Sequence, residues 1–178
     1  MRRFAVILAV SAFVPCASIV GQQQPPGGRW EEHTGLELML HGVWSETVGD
    51  QGGNGPGVEL GLGRHFRSGA VVELRGGYRS WQRTEWSTEH TVGLLLGLRY
   101  ELPLHTRFVM APVAGIGLAA ETYRDDLPIA VTVDLGTRLC LRITPRLGFV
   151  LGTAYRMSKS GLHGTSHLDF VGGLNVRP

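Results

Sequence analysis

From His33 to the C-terminus, apolar residues recur at every second position with little interruption. A period of two belongs to strands whose two faces differ chemically. Eight segments carry it. His33–Ser45 sets Leu36, Leu38, Leu40 and Trp44 in one row, and Gly57–Phe66 sets Val58, Leu60, Leu62 and Phe66. Ala70–Trp81 carries Val72, Leu74 and Tyr78; His90–Leu102 carries Val92, Leu94, Leu96, Leu98 and Tyr100. Arg107–Tyr123 offers Phe108, Met110, Ala114, Ile116 and Leu118, while Pro128–Ile143 offers Ile129, Val131, Val133, Leu135, Leu139 and Leu141. Leu147–Ser158 contributes Leu147, Phe149, Leu151 and Tyr155, and Thr165–Val176 contributes Leu168, Phe170, Leu174 and Val176.

The connections are of two kinds. Those after the second, fourth and sixth segments are tight: Arg67-Ser68-Gly69, Pro103–Thr106 and Thr144-Pro145-Arg146. Those after the first, third, fifth and seventh are longer and more polar: Glu46–Pro56, Gln82–Glu89, Arg124–Leu127 and Lys159–Gly164. Short turns at one end and long loops at the other predict an all-β fold, an eight-stranded antiparallel up-and-down transmembrane β-barrel.

The row opposite the apolar one decides which face meets lipid. It holds Glu37, His41, Glu59, His65, Glu73, Arg75, Arg79, Arg99, Glu101, Glu121, Asp134, Arg138, Arg142, Arg156 and Asp169, interleaved with glycines such as Gly61, Gly97, Gly115 and Gly152. On a solvent-facing row those glycines would weaken each strand with no packing reason. Inside a narrow eight-stranded barrel they leave room for long side chains, and acids and bases in near balance can pair. Aromatics in the apolar row fall at two heights, Phe66, Tyr100, Phe108 and Phe149 beside the short turns and Trp44, Tyr78 and Tyr155 beside the long loops. That sorting matches the girdles at two membrane interfaces. Two positions disturb the pattern. Arg64 lies in the outward row near a strand end, and Pro112 removes a ladder donor, which predicts a bulge or a local gap.

Ahead of the barrel, Met1-Arg2-Arg3 followed by the apolar Phe4–Val14 and small residues around Cys16–Gly21 reads as a signal peptide over residues 1–21. Residues 22–32 form a Gln/Pro/Gly tether, and 33–178 the barrel domain. Cleavage removes Arg2, Arg3 and Cys16, leaving 15 basic against 15 acidic residues and Cys140 as the lone thiol. No intramolecular disulfide is then available, and no basic patch argues for nucleic acid. The 26 glycines follow no collagen-like period.

Strand count, turn alternation and charged row together resemble the OmpA/OmpX-like family of small outer-membrane barrels over about His33 to Pro178. The tail His167–Val176 resembles the closing strand of such proteins, although this chain ends on Arg177-Pro178 where the family has a terminal aromatic. The resemblance implies the cell outer membrane of a Gram-negative bacterium and names no activity.

Candidate chemistry is sparse. Gly115-Ile116-Gly117-Leu118-Ala119-Ala120 fits a dinucleotide fingerprint with Asp134 downstream, but Pro128 leaves no space for the helix it requires. Asp50–Gly55 lacks the repeats and second acid of calcium turns. His163, Ser166 and His167 invite comparison with lipid A deacylases, which are barrels using His-x-Ser on one face; here His163 and Ser166 are three apart, on opposite faces. The expectation is a non-enzymatic, monomeric barrel without cofactor or metal, in contact with outer-membrane lipid and lipopolysaccharide. Its lumen is filled by ion pairs among Glu37, Glu59, Glu73, Arg75, Arg79, Arg99, Glu101, Glu121, Asp134, Arg138, Arg156 and Asp169. It acts through loops Glu46–Pro56 and Gln82–Glu89 on an extracellular protein or ligand. The alternatives are a narrow channel or small-ligand carrier, and a soluble lipocalin-like barrel with Leu94, Leu96, Val131 and Val133 facing inward.

Overall fold

The computed structural model describes residues 35–48, 53–84, 87–121, 129–160 and 163–178, with the side chains at 83, 84, 87, 160 and 163 set aside. The leader, the tether, the start of the first segment, the first three residues of Asp50–Gly55 and all of Arg124–Leu127 lie outside the described residues. The barrel belongs to the compact unit Glu32–Pro178.

Eight long strands form one sheet: β1 (Leu36–Thr47), β2 (Asn54–His65), β3 (Ala70–Thr84), β4 (Ser87–Tyr100), β6 (Phe108–Glu121), β7 (Ile129–Arg142), β8 (Leu147–Ser160) and β9 (His163–Val176). A two-residue piece, β5 (Leu102–Pro103), continues β4 along the same partner, β6. Each long strand pairs antiparallel with its successor, and β1 pairs with β9, so the sheet has no free long edge. Stepping across the registers from Leu36 through Arg64, Val72, Leu98, Ala114, Leu135, Tyr155 and Leu168 returns to β1 at Glu46, ten residues along. Such a stagger tilts the strands by about 40° to the barrel axis, the range closed barrels require.

Pro112 explains why β4 and β5 are separate. Arg99 pairs with Val113 and Leu102 with Met110 in one unbroken register, yet Tyr100 and Glu101 make no ladder pair with β6. In that register the N–H that Pro112 lacks is the one that would reach the Tyr100 carbonyl. The disturbance expected there is thus a gap without a bulge, while the ladder to β7 runs straight through Pro112↔Thr137. At the tight end, Gly69 turns the chain with φ of 84°, a conformation that side chains with a Cβ resist. Thr144 accepts the Arg146 and Leu147 amides on its hydroxyl, closing the β7–β8 turn.

Along β1 burial alternates without a break through Ser45, with Leu36, Leu38, Leu40 and Trp44 outside and Glu37, Met39, His41, Val43 and Ser45 inside. The soluble-barrel alternative fails at its named residues: Leu94 and Leu96 are each 56% exposed and Val131 is 51% exposed, while Glu73 is fully buried. Soluble proteins rarely expose contiguous apolar patches beyond a few hundred Å². Here the exposed Leu, Val and Ile encircle the sheet. Trp44, Phe66, Tyr78, Tyr100, Phe108 and Phe149 are exposed on the same face, with Tyr155 half-buried beside them. Arg64 also faces outward, one residue from the end of β2.

The strands run further than apolar alternation indicates, which corrects the loop boundaries. Asn54, Gly55 and Pro56 belong to β2, Gln82 to β3, Thr88 and Glu89 to β4, and Lys159 and Gly164 pair across β8 and β9. Backbone pairing does not need apolar side chains. Beyond the greasy band the outward row simply turns polar, with Glu46, Asn54, Gln82, Thr88 and Lys159 exposed. Strands of 12 to 15 residues exceed the roughly 9–11 that a tilted strand needs to cross hydrocarbon. The β1–β2 and β3–β4 strand pairs therefore project past the hydrocarbon band and leave shorter connections than apolar alternation indicates.

Candidate functional site

The lumen is the one place where the sheet concentrates chemistry, because the inward row of every strand is aimed at one axis. Call the end bearing the tight turns the inner end and the end bearing the β1–β2, β3–β4, β6–β7 and β8–β9 connections the outer end.

At the inner end, Glu37 from β1 is the focus. Arg99 donates to it at 3.0 Å and Arg177 at 3.2 Å, and His65 and the Asn175 amide make close hydrogen bonds to the same carboxylate. Glu101 takes Arg177 at 2.7 Å, Arg142 at 3.2 Å and Arg99 at 3.4 Å. Glu37, His65 and Glu101 bring three metal-capable atoms within 4.8 Å of one another. Arg99 and Arg177 already hold both carboxylates, so a divalent cation would have to displace two guanidinium groups, and the donor set fits an ion-pair cluster instead.

The middle is organised on Glu59 from β2. Arg75, Arg79 and Arg138 approach it at 3.3–3.4 Å and Arg156 at 3.5 Å. Arg75 also reaches Glu73 at 3.2 Å and Asp134 at 2.9 Å, and Arg138 reaches Glu73 at 3.3 Å. Glu73 binds Arg99 at 3.1 Å, joining the middle to the inner end. Asp169 takes Arg79 at 3.1 Å, Arg156 at 3.5 Å and the Ser45 hydroxyl at 2.6 Å. Such bridging needs backbone without a side chain nearby. A Cβ at Gly115 would run into the Asp134 carboxylate and the Arg75 guanidinium.

Above this network the chemistry changes. Trp81 faces inward, donates its indole N–H to Glu89 at 3.1 Å and lies against the His167 ring with centroids 4.5 Å apart. Thr132 and Ser158 share a hydrogen bond of 2.9 Å.

Eleven of the twelve residues expected to pair in the lumen are brought into one connected set. Glu121 faces inward, and among the described residues no guanidinium lies within ion-pair reach of it. Two contributors escape the sequence reading. Arg177 lies beyond the last apolar residue of β9, yet it continues the inward row Asp169, Val171, Gly173, Asn175. Trp81 sits on the inward parity of Arg79, which counting by twos along β3 would have shown.

The other motifs dissolve into the sheet. Gly115–Ala120 is regular β6 strand paired with both neighbours, so no helix follows it. Ser166 lies opposite Met157 on the outward row, whereas His167 points into the lumen at 3% exposure. Cys140 is a free thiol at the inner end, half-buried against Gly148.

No protein-family model matches the chain, and no curated protein matches it in sequence. Solved structures do match in shape. Neisserial surface protein A superposes with a TM-score of 0.64 at 10% identity, covering 80% of this chain and 97% of that one. The outer membrane enzyme PagL gives 0.54 at 17% identity, over 76% and 98%. The outer membrane protein OprG from Pseudomonas aeruginosa gives 0.52 at 11% identity, over 82% and 97%. The chain has the fold of the small eight-stranded outer-membrane β-barrels.

Proposed function

We propose that this protein is an integral outer-membrane barrel that works without catalysis, its lumen closed by ion pairs and its outer hairpin tips presented as a binding surface. The observation that carries the reading is the inversion of faces: apolar side chains encircle the outside while Glu59 gathers four guanidinium groups on the axis. Only a hydrocarbon solvent makes that arrangement favourable, because in water the apolar belt would be a large exposed patch. Outer-leaflet lipid and lipopolysaccharide are then its immediate surroundings, and adhesion, contact with an extracellular protein or ligand, or envelope stabilisation are the roles open to the tips of β1–β2 and β3–β4. The similarity to PagL is one of fold, and the outward Ser166 and inward His167 do not share a face as a nucleophile and its base must.

Fractionation of cells and heat-modifiable migration on a gel test the placement. The protein is expected in the outer membrane, with faster migration before boiling; recovery as a soluble periplasmic protein would contradict it. Planar bilayers test the closed lumen. Negligible conductance is expected, and steady ion-selective currents would favour a channel.

A further inference from the structure

At the inner end the fold sets exposed cations beside exposed apolar side chains. The three tight turns read Phe66-Arg67-Ser68-Gly69, Pro103-Leu104-His105-Thr106-Arg107 and Ile143-Thr144-Pro145-Arg146, and none of them contains an Asp or Glu. Arg67, Arg107 and Arg146 are exposed, and each shares its turn with an exposed apolar residue: Phe66, Leu104 at 60% and Ile143 at 54%. Arg64 joins them from the lipid-facing row. It is exposed between Leu62 and Phe66, and its ladder partners on either side are Leu36 and Val72. The acids that the structure describes at this end, Glu37 and Glu101, are turned into the lumen and held there by Arg99, Arg142 and Arg177. Because the turns join β2 to β3, β4 to β6 and β7 to β8, the exposed arginines are spread round the rim of the closed sheet.

We propose that this rim binds the phosphodiester groups of anionic phospholipids in the leaflet at the inner end, an inference that rests on the outer-membrane reading. A guanidinium recognises a phosphate by paired N–H donors as well as by charge. Arg64 stands in a row that faces hydrocarbon, where a cation is costly unless its head reaches the interface, and a phosphate there is its natural counter-charge. A zwitterionic lipid brings its own ammonium group to the same place, and the turns offer no carboxylate to receive it. A free anion would meet the arginines but leave Phe66, Leu104 and Ile143 in water, whereas a lipid supplies acyl chain and phosphate together. One docked acidic protein segment would reach a single side of a rim whose arginines are spread round it.

The test is electron spin resonance of the full chain folded into phosphatidylcholine vesicles that carry a trace of spin-labelled phosphatidylglycerol or, in parallel, spin-labelled phosphatidylcholine. Lipid held at the protein surface gives a motionally restricted component. At low salt that component is expected to favour the phosphatidylglycerol label by about threefold or more, and the preference should vanish at about 1 M salt, where charges at a surface are screened within about 3 Å. It should also vanish when Arg64, Arg67, Arg107 and Arg146 are all replaced by Gln, with heat-modifiable migration verifying that the variant is folded. If the fourfold variant does not fold, Arg107→Gln with Arg146→Gln changes two turns only and should cut the preference to about half. Equal restriction of the two labels, or a folded variant that keeps the parent's preference, would overturn the proposal. No restricted component with either label would overturn the outer-membrane reading itself and the proposal with it.

Discussion

In the middle of the lumen Glu59 meets four guanidinium groups, whereas toward the outer end Glu121 meets no arginine among the described residues. Both are glutamates on inward rows, and alternation alone treats them as equals. The difference lies in what surrounds each one. Around Glu59 the inward rows of β3, β7 and β8 bring long arginines to one height, so each carboxylate oxygen has a cationic partner and the cross-section is filled. Around Glu121 the described inward neighbours include Thr91 across the ladder and Ala119 two residues along β6, both short. The lumen around Glu59 is a structural plug of ion pairs, and the described inward row toward Glu121 is made of shorter side chains.

Three substitutions sharpen or break that contrast. The largest effect is expected from Glu59→Gln, which keeps the shape but takes from four buried guanidinium groups the one carboxylate they share; breaking a buried pair typically costs about 3–5 kcal/mol. Urea unfolding in lipid vesicles should show the loss. An unfolding midpoint near the parent's would mean the arginines are satisfied otherwise, and the plug would not be built on Glu59. Arg177→Ala comes next, at about 1–2 kcal/mol, because Arg99 still faces both Glu37 and Glu101 when Arg177 is gone. The same unfolding series measures it, and a null result would make the C-terminal arginine a bystander. Glu121→Gln should change stability least, within about 0.5 kcal/mol, since among the described residues no cation depends on it. A loss rivalling that of Glu59→Gln would erase the distinction between the two halves.

The periodicity of the chain carried the barrel. Leu36, Leu38 and Leu40 outside with Glu37, Met39 and His41 inside follow from counting by twos, because one face of a strand cannot be exchanged for the other without a register slip. The Pro112 gap was equally legible, since a missing N–H is a local fact. Two features were not. The strand ends near Asn54 and Gln82 were misplaced because hydrogen-bonded pairing persists where apolar alternation stops. The partners of Glu121 are the other, because ion pairing depends on heights set by the ten-residue stagger, and that stagger is a property of the closed sheet. Arg177 illustrates the same limit: its parity points inward, but its reach to both Glu37 and Glu101 is known only once β1, β4 and β9 are assembled.

The central claim, hydrocarbon outside and ion pairs within, is tested most directly at two adjacent residues, Leu95 at 1% exposure and Leu96 at 56%. With Cys140 replaced by Ser, a nitroxide on Leu96→Cys in lipid vesicles should collide freely with dissolved oxygen and hardly at all with a water-soluble nickel complex. The label on Leu95→Cys should be immobilised. Ready collision of the Leu96 label with the nickel complex, at mid-strand in a folded barrel, would contradict the account.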